Sequence, residues 1–506
     1  MLRENDSDQR LLERVRPSGW RNPVPTGRYN LVVIGAGTAG LVTAAGAAGL
    51  GARVALVERA ELGGDCLNIG CVPSKSLLRS AHAGAEIRAA EPLGIRMEGE
   101  ASIDFQAAME RMRAVRARIA PNDSATRFSE ELGVDVFFGE GRFLDRRHVE
   151  VAGQRLAFRK AVIATGARAA VPPIPGLKEA GYLTNENVFD LEWLPNRLLV
   201  LGGGPLGCEL AQAFGRMGAQ VTVVELAEQF LAREDPEAAA LLFDQLGRDG
   251  IDVRLATSLV RVEGTPGGIK TATLEKAGQE EAFSCDQILV AVGRAPNLEG
   301  LGLETAGVRS HPGSGIEIDD YFRTHNPHIY AAGDVCMDLK FTHAADFAAR
   351  AVIQNALFAV GPMGRKKLSA LTIPWCTYTD PEIAHLGLSE TDASEKGIPV
   401  EAFVRPFNEV DRAIADGRDR GFVKILVKTG TDSILGATVV GYGASDLIGE
   451  IAVARAAGVG LGALAGVIHP YPTRSEAIRQ LGDAYNRTRV TPLVKRILAG
   501  YLAWRR

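Results

Sequence analysis

The sequence has little cysteine and no excess of charge of either sign. Of its 506 residues only 6 are Cys, and 57 basic residues stand against 61 acidic ones, a net charge of −4. So few cysteines argue against a disulfide-stapled scaffold, and the charge balance gives no basis for nucleic-acid binding. At roughly 100 to 200 residues per domain, the length predicts about three domains and a large core.

The first fifty residues lack the features of a secretory signal. Residues 1–26 are polar and Arg-rich, without an apolar h-region. Residues 31–52 carry no charge and are long enough to span a bilayer, but Gly and Ala dominate them, and a weakly apolar segment inserts poorly. We therefore expect a buried strand, loop and helix here, in a soluble, cytoplasmic protein.

Glycine, in contrast, is abundant, with 57 residues and no collagen period. Part of this excess belongs to a pattern that occurs twice: an apolar run, a GxGxxG loop, a helical stretch and a second apolar run that closes on Glu. In both copies the Glu follows the first glycine by 23 positions. The glycines are Gly35, Gly37 and Gly40, then Gly202, Gly204 and Gly207, and the acids are Glu58 and Glu225.

This repeated pattern is typical of dinucleotide-binding βαβ units. The first glycine permits a tight turn, the second admits a pyrophosphate to the backbone, and the third lets helix and strand pack closely. The helix N-terminus faces the phosphates, and the acids are placed to accept ribose hydroxyls. The alternative for either acid is a solvated strand end. We predict that the chain binds two dinucleotides.

Cys66 and Cys71 form the second feature of interest. In one regular helix their Cα atoms would be about 8.7 Å apart, more than the roughly 7 Å that a disulfide tolerates. A bridge therefore needs Cys66 outside the helix or a distorted first turn, and Gly63, Gly64 and Gly70 supply the freedom. Pro73 favours a first helical turn, which would place Cys71 near a helix N-terminus and lower its pKa. The residues alone leave three alternatives open: a redox pair, structural thiols, or an incomplete metal site.

Together with the two GxGxxG loops, the segment 63–75 (GGDCLNIGCVPSK) closely resembles the pyridine nucleotide-disulfide oxidoreductases, which include dihydrolipoamide dehydrogenase, glutathione reductase and mercuric reductase. The resemblance covers about residues 28–483, and three further motifs of the family occur, at 164–166 (ATG), 291–297 (AVGRAPN) and 331–334 (AAGD). It implies an FAD-dependent enzyme that works as a homodimer, with the active site shared between subunits.

The resemblance also assigns roles to individual residues. Cys71 would face the flavin and Cys66 would exchange with substrate. Lys75 and Glu209 would pair beside flavin and nicotinamide, and Asp334 would bind the ribityl chain. The first loop would bind FAD and the second the nicotinamide nucleotide. Further cofactor-binding residues implied by the motifs are Gly64, Thr165, Gly166, Gly293 and Ala345.

The sequence departs from the family near residue 471. Thiol-disulfide members carry His-Pro-Thr-x-x-Glu, whose His is an acid/base supplied by the partner subunit. Here Tyr471 stands at the His position, with Glu476 five residues later. A Tyr is a poor proton shuttle at neutral pH, and mercuric reductases carry Tyr there. His469 is an alternative base if the chain is extended, because residues 469 and 471 then point to one side; otherwise it bonds to backbone.

A second departure concerns mercury. Mercuric reductases carry a C-terminal Cys pair that passes the soft metal inward. No Cys follows Cys376 in this sequence, so efficient mercury reduction is not expected. Residues 486–506 are basic and amphipathic, a pattern that could lie on an anionic membrane surface. We expect the more common arrangement, a helix packed on its own dimer. No metal site is predicted.

The coenzyme is expected to be NADH. No Arg or Lys directly follows Glu225, and a carboxylate there repels a 2′-phosphate. Arg233 is near enough in sequence to leave NADPH as the alternative.

We therefore expect an α/β protein with two doubly wound Rossmann-like domains and an α+β dimerisation domain. The expected parts are an extension (1–27), an FAD domain (28–175 and 298–368), an NAD(P) domain (176–297), an interface domain (369–483) and a tail (484–506). The expected enzyme passes electrons from NAD(P)H through FAD to the Cys pair and on to a disulfide or metal-ion acceptor, as in mercuric-reductase-like members. The alternatives are dihydrolipoyl dehydrogenase and a flavin redox sensor with little turnover.

Overall fold

The computed structural model describes residues 6–96, 99, 101–361 and 363–506. The chain divides into two compact units. The first unit is Met1–Leu226 with Ala256–Leu371, and the second unit is Ala227–Leu255 with Thr372–Arg506. Residues 1–5 of the expected extension, and residues 97, 98, 100 and 362 of the expected FAD domain, lie outside the described residues. The five-part division of the sequence stays a prediction.

The described chain alternates helices and strands over most of its length. The α-helices are α1 (Asp6–Val15), α2 (Thr38–Gly49), α3 (Gly64–Asn68), α4 (Cys71–Arg88), α5 (Phe105–Ile119), α6 (Leu177–Ala180), α7 (Pro205–Met217), α8 (Pro236–Arg248), α9 (Leu303–Ala306), α10 (Thr342–Ile353), α11 (Glu390–Glu395), α12 (Asp411–Ala415), α13 (Ala444–Ala456), α14 (Leu461–Leu464), α15 (Glu476–Thr488) and α16 (Pro492–Trp504).

The strands are β1 (Arg28–Ile34), β2 (Val54–Glu58), β3 (Asp135–Phe138), β4 (Arg142–Asp145), β5 (His148–Val151), β6 (Gln154–Ile163), β7 (Ala167–Ala169), β8 (Arg197–Leu201), β9 (Gln220–Val224), β10 (Asp252–Arg254), β11 (Ser258–Glu263), β12 (Lys270–Lys276), β13 (Gln279–Cys285), β14 (Gln287–Val290), β15 (Arg294–Pro296), β16 (Ser310–His311), β17 (Gly315–Ile316), β18 (Ile329–Ala331), β19 (Pro374–Thr377), β20 (Glu382–Gly387), β21 (Val400–Pro406), β22 (Phe422–Lys428) and β23 (Ile434–Gly441).

A mixed sheet forms the centre of the first unit. Its strands run in the order β3-β2-β1-β6-β5-β4, and β18 also pairs with β6. The pairs β1–β2, β2–β3, β1–β6 and β18–β6 are parallel, so the carboxyl ends of β1 and β2 lie at one edge. Residues 31–34 of β1 and all of β2 are apolar or buried, as expected of parallel strands covered on both faces. The loop after β1 is the first glycine motif.

The second glycine motif follows a separate parallel sheet of the first unit. In it β8 lies between β9 and β14, and all three strands are apolar and mostly buried. An antiparallel sheet β11-β12-β13 packs its apolar side chains into the same core. The glycine motif after β8 therefore has the same strand, loop and helix setting as the first.

Several helices of the first unit surround the first motif. Helix α10 packs along α2, and α4 packs against both α5 and α7. Helix α1, from the N-terminal extension, buries Leu11 and Val15 and packs on α5. The helix that begins at Cys71 is thus packed against α7, the helix of the second glycine motif.

The second unit is built on an antiparallel sheet in the order β19-β20-β23-β22-β21. Helices α13 and α15 contribute buried apolar side chains to its core, among them Ile448, Ile451, Ile478 and Leu481. A sheet packed with helices in this way is the α+β architecture expected of the dimerisation domain.

The tail forms helix α16, with Thr491 as its N-cap and Pro492 in its first turn. None of the residues of α16 is buried in the chain. Its exposed apolar side chains are Leu493, Val494, Ile497, Leu498, Tyr501, Leu502 and Trp504. Within the described residues, no helix combines the length and apolar character needed to cross a membrane.

Candidate active site

The first and third glycines of each motif are required by the backbone itself. Gly35 and Gly202 have φ of +100° and +105°, a conformation that side-chain-bearing residues rarely adopt. A Cβ on Gly40 would overlap the carbonyl oxygen of Gly35, and one on Gly207 would overlap that of Gly202. The third glycines therefore let α2 and α7 approach the ends of β1 and β8.

The second glycines leave open space instead. A Cβ on Gly204 would meet nothing within 4 Å, and one on Gly37 would meet only the Cα of Gly64, at 3.8 Å. Gly37 and Gly204 are the N-caps of α2 and α7, and no side chain caps either of these described helices. Both helix N-termini therefore offer backbone N–H groups to an open cradle, which fits the pyrophosphate of a dinucleotide.

The two acids occupy equivalent positions beside these loops. Glu58 accepts a hydrogen bond from the backbone N–H of Ala36 at 2.6 Å, and Glu225 accepts one from that of Gly203 at 2.8 Å. Both donors are the residue between the first two glycines of the motif. Burial raises the pKa of Glu58. Each carboxylate is thus hydrogen-bonded to the glycine loop of its own motif.

The Cys pair spans a break between two helices. Cys66 lies in the short helix α3 and Cys71 is the first residue of α4, as expected from Pro73. Ile69 and Gly70, between the two helices, leave the helical conformation, and this is the break that a bridge requires. Both cysteines are free thiols in the structure, which therefore describes the reduced pair.

The surroundings of Cys71 stabilise a thiolate. A hydrogen bond from Cys66 is the largest effect, followed by one from the hydroxyl of Thr342, whose Oγ1 lies 3.2 Å from Sγ, and by the charge of Lys75. Against the cost of burial, these lower the pKa of Cys71 to about 6. The position of Cys71 at the start of α4 acts in the same direction. The same hydrogen bond, with burial, raises the pKa of Cys66.

Lys75 and Glu209 form the expected ion pair. Lys75 Nζ lies 2.7 Å from Glu209 Oε2, and the Glu209 side chain is only 4% exposed. Lys75 belongs to α4 and Glu209 to α7. The pair therefore connects the helix that begins at Cys71 with the helix of the second glycine motif.

Gly64 lets the Cys segment, defined as residues 62–75, pack against the first glycine motif. Its φ is +54°, and a Cβ at this position would lie 2.5 Å from the Cα of Gly37. The adjacent Gly63 donates its backbone N–H to the carbonyl of Ala36 at 2.9 Å. Any side chain at residue 64 would separate the two loops, so the sequence Gly63-Gly64 is a packing requirement.

Hydrogen bonds and strand pairing join the motifs at 164–166 and 291–297. Thr165 donates its hydroxyl to the carbonyl of Asn297 at 2.8 Å, and the Asn297 amide donates back to the carbonyl of Thr165 at 2.9 Å. Strand β15 pairs with β7, which follows Gly166. Gly166 and Gly293 have φ of +67° and +134°. These contacts join motifs that are more than a hundred residues apart in the sequence.

Arg294 carries this connection to the Cys segment. It forms ion pairs with Asp65, next to Cys66, and with Asp334, whose Oδ2 lies 3.4 Å from Nε. Burial raises the pKa of Asp334. Ala345 is buried in α10, the helix that Thr342 begins. The residues expected around FAD are therefore close to the Cys pair through direct contacts.

A cleft of about 380 Å³ opens beside Cys71. Its walls are α4 and α5, and they carry basic and apolar side chains but no acid. The lining residues are Cys71, Val72, Lys75, Ser76, Arg79, Arg111, Val115 and Ile119.

Sequence reasoning missed three residues that contact the Cys segment. Thr342 bonds to Cys71, Arg116 donates to the carbonyl of Asn68 at 2.7 Å, and Asn185 donates to that of Ile69 at 3.3 Å. Thr342 lies three residues before Ala345, one of the expected cofactor-binding residues, and this position is a signal that could have found it. Arg116 and Asn185 belong to no family motif quoted above.

The second unit holds the other expected site residues. His469 Nε2 lies 2.8 Å from Glu450 Oε1, and its Nδ1 lies 3.1 Å from the Val467 carbonyl. Tyr471 donates to Asp411 at 2.8 Å, which raises the pKa of Tyr471. His469 thus makes the backbone contact that was its alternative to a catalytic role, and each ring has its own carboxylate partner. The His469 side chain is largely buried, whereas Tyr471 is exposed. The catalytic roles of His469 and Tyr471 stay predictions.

Glu476, the last of the expected catalytic residues, is the first residue of α15. Its carboxylate pairs with Arg479 at 3.3 Å. The acidic side chain lies in the first turn of the helix, where it is favourably placed with respect to the helix dipole.

Comparisons with known proteins agree with this geometry. The pyridine nucleotide-disulphide oxidoreductase model matches residues 29–352, and the model of that family's dimerisation domain matches residues 373–481. The two matches together confirm the expected fold class and support a homodimer. They also confirm FAD and a pyridine nucleotide as the cofactors of the family.

Similar proteins include two kinds of enzyme. A mercuric reductase of Staphylococcus aureus is 34% identical over 453 residues, covering 90% of this chain and 82% of its own. A dihydrolipoyl dehydrogenase of Thermus scotoductus is 35% identical over 470 residues, covering 91% and 98%. The solved structure of the HOCl-induced flavoprotein disulfide reductase RclA from Escherichia coli has a TM-score of 0.78 at 28% identity, covering 90% and 99%. The chain therefore belongs to the pyridine nucleotide-disulphide oxidoreductase family and is an NAD(P)H-dependent flavoprotein oxidoreductase.

Proposed function

We propose that this enzyme uses NADH to reduce a disulfide or a soft metal ion at Cys66. The observation that carries the proposal is the setting of the Cys pair: Cys71 is the first residue of α4, with the hydroxyl of Thr342 3.2 Å from its sulfur. These contacts, with Cys66 and Lys75, favour a thiolate at Cys71 and leave the proton on Cys66. Two-electron reduction of a disulfide between these cysteines is expected to give a thiolate at Cys71 and a thiol at Cys66, and Cys66 can then exchange with the acceptor.

The chain's own residues account for binding of the two cofactors. We assign residues 28–175 and 298–368 to FAD, with Gly37 and α2 at the pyrophosphate, Glu58 at the ribose and Asp334 at the ribityl chain. Residues 176–297 are assigned to the nicotinamide nucleotide, with Gly204 and Glu225 in the matching roles. When bound, FAD supplies two-electron transfer between the nicotinamide and the disulfide.

The thiol steps can then proceed between the two cysteines. The thiolate of Cys71 takes the proton of Cys66 across their hydrogen bond, and the sulfur of Cys66 attacks one sulfur of the acceptor disulfide. The acceptor S–S bond breaks and a mixed disulfide forms. The first acceptor sulfur leaves as a thiolate and takes a proton from water. Cys71 then attacks the sulfur of Cys66 and gives up its proton to the departing acceptor sulfur, which restores the internal disulfide and releases the second acceptor thiol. Two acceptor thiols are formed for each oxidised pair, one protonated by the Cys pair and one by water.

This route does not require a histidine, which agrees with the contacts in the second unit. Tyr471 stands where thiol-disulfide members carry their acid/base, and Asp411 makes it a weaker acid still. Both ring nitrogens of His469 already face acceptors. An acceptor that needs little help with protons, such as a soft metal ion or a disulfide with acidic thiols, therefore suits this site best.

The coenzyme assignment rests on Glu225. This carboxylate is attached to the second phosphate loop through Gly203, at the position that meets the ribose. It favours ribose hydroxyls and disfavours the charge of a 2′-phosphate. We propose NADH as the preferred electron donor.

The test is a steady-state assay with NADH or NADPH and a panel of acceptors: Hg(II) in excess thiol, lipoamide, oxidised glutathione and ferricyanide. NADH should be preferred, and Cys66→Ser should abolish reduction of the disulfides and the metal. Ferricyanide, which takes electrons directly from flavin, should be reduced by the variant as by the wild type. If the variant reduced the other acceptors normally, the Cys pair would not be their route. If NADH failed to reduce the flavin anaerobically, a redox sensor would be the better description.

A second candidate is dihydrolipoyl dehydrogenase, which the relative from Thermus scotoductus and the His469–Glu450 pair favour. An imidazole oriented by a carboxylate is a usual acid/base arrangement. Turnover of NAD with dihydrolipoamide, lost in His469→Ala, would support this candidate. A background rate in the wild type would dismiss it.

We propose that the apolar side of α16 is covered in the homodimer. The helix has no buried residue in the single chain, and the dimerisation match ends just before it, at residue 481. Leu493→Glu with Ile497→Glu should shift the sedimentation coefficient towards the monomer. An unchanged dimer, together with wild-type binding to anionic vesicles that the variant loses, would instead indicate a membrane-surface helix.

A further inference from the structure

Helix α1 makes a buried polar contact that no glycine or cysteine motif accounts for. Asp8 of this helix is 2% exposed. Its Oδ1 lies 2.9 Å from Arg116 Nη2, and its Oδ2 lies 3.5 Å from Arg113 Nε. Both arginines belong to α5 and are also buried. A buried carboxylate is costly unless it is paired in this way, so the contact fixes α1 on α5.

Arg116 extends this contact to the Cys segment. While one end of its guanidinium pairs with Asp8, Nη1 donates to the backbone carbonyl of Asn68, at 2.7 Å. Asn68 is the last residue of α3 and lies between Cys66 and Cys71. A charge-assisted hydrogen bond to a backbone carbonyl is among the stronger ones available in a protein.

Asn68 is itself fixed on its other side. Its amide donates to the carbonyls of Leu62 and Gly64, at 3.0 and 2.9 Å. The backbone N–H of Leu62 in turn donates to the carbonyl of Val15, at the end of α1, at 3.1 Å. Helix α1 thus contacts the Cys segment twice, through Arg116 and through Leu62.

We propose that Asp8 and Arg116 are positioning residues for the redox pair: the carboxylate of α1 orients the guanidinium, and the guanidinium holds the chain between Cys66 and Cys71 at Asn68. The inference rests on the proposed function of the two cysteines. The sulfurs must pass between hydrogen-bond contact and an S–S bond of about 2.05 Å without losing their alignment. A segment anchored at its middle carbonyl restricts that movement to the side chains.

The fork of the guanidinium is essential to this role. Arg116 reaches Asp8 and the Asn68 carbonyl at once with two different nitrogens, whereas a Lys in its place has one charged nitrogen. Arg116→Lys therefore keeps the buried positive charge and loses the bridge. Asp8→Asn keeps the size of the side chain and removes the charge that orients the guanidinium. Asp6→Asn is the matched control, because Asp6 is an exposed carboxylate of the same helix and, among the described residues, pairs with Arg10.

The experiment follows the three full-length variants in two ways. Hydrogen exchange of residues 66–71 should become about tenfold to a hundredfold faster in Asp8→Asn and Arg116→Lys, the range expected for loss of one charge-assisted hydrogen bond. The thiolate-to-flavin charge-transfer absorbance of the NADH-reduced enzyme should fall by at least about half in the same two variants, since it depends on the position of Cys71. Asp6→Asn should match the wild type in both.

The outcomes separate this proposal from the proposed function. Lower thermal stability with wild-type exchange of residues 66–71 and wild-type absorbance would make Asp8 and Arg116 purely structural and overturn the inference. If either Asp8→Asn or Arg116→Lys failed to fold, the same two measurements on the other variant would still support or overturn the inference. A wild-type enzyme without the charge-transfer band would contradict the proposed function, while the exchange measurement would still test the positioning role.

Discussion

The hydroxyl of Thr342 is expected to control how much of Cys71 is thiolate at neutral pH. Its Oγ1 lies 3.2 Å from the sulfur, and the bond lowers the pKa of Cys71, which stands at about 6. Thr342→Val removes the donor and keeps the shape of the side chain. Because the bond stabilises the thiolate and not the thiol, its loss must raise the pKa.

The size of the effect follows from the strength of such bonds. A hydrogen bond to a charged group contributes about 1.5 to 3 kcal/mol. One pKa unit corresponds to about 1.4 kcal/mol, so the pKa of Cys71 should rise by about 1 to 2 in Thr342→Val. At pH 7 the thiolate fraction should fall from about nine-tenths to between about a half and a tenth.

The assay is a pH titration of the thiolate-to-flavin charge-transfer absorbance in the anaerobically reduced enzyme. Thr342→Ser is the control, because it keeps the hydroxyl, and it should titrate close to the wild type. A Thr342→Val enzyme that titrated together with the wild type would refute the reasoning. Cys66, Lys75 and the start of α4 would then account for the thiolate without Thr342.

Three further predictions concern other parts of the site. Gly64→Ala should lower the free energy of unfolding by about 2 to 5 kcal/mol in chemical denaturation, because the new Cβ is strained at positive φ and collides with the first glycine motif. Gly51 is the control: it also has a positive φ but faces open space, so Gly51→Ala should lower the free energy of unfolding by only about 1 to 2 kcal/mol. Glu225→Gln should reduce the preference for NADH over NADPH about tenfold or more in kcat/KM, and an unchanged ratio would mean that other residues select the coenzyme. Lys75→Met should raise the pKa of Cys71, because the positive charge of Lys75 stabilises the thiolate, but by less than loss of the Thr342 hydroxyl does. A fall of this pKa in the thiolate titration would contradict the prediction.

The sequence predicted those parts of the molecule that depend on neighbouring residues. Strand, loop and helix follow one another within each glycine motif, and the spacing to Glu58 and Glu225 is local as well. Spacing and Pro73 likewise predicted that a bridged pair would not share one regular helix and that a helix begins near Cys71. These features depend on turn geometry and helix rules that a short segment contains.

Long-range contacts were not predictable in the same way. Thr342 is 271 residues from Cys71, and Asp8 is 108 residues from Arg116. Such pairs are formed by the packing of α10 and α1, and a single sequence has no periodic signal for them. The same limit applies to His469 and Tyr471, whose orientation is set by Glu450 and Asp411 and not by the local chain.

The central claim is that Cys71 is the thiolate beside the flavin and Cys66 is the thiol that meets the acceptor. Anaerobic titration with NADH of the wild type, Cys71→Ser and Cys66→Ser tests it most directly. The wild type and Cys66→Ser should develop the long-wavelength charge-transfer absorbance, and Cys71→Ser should not. Absorbance retained in Cys71→Ser, or lost only in Cys66→Ser, would contradict the assignment.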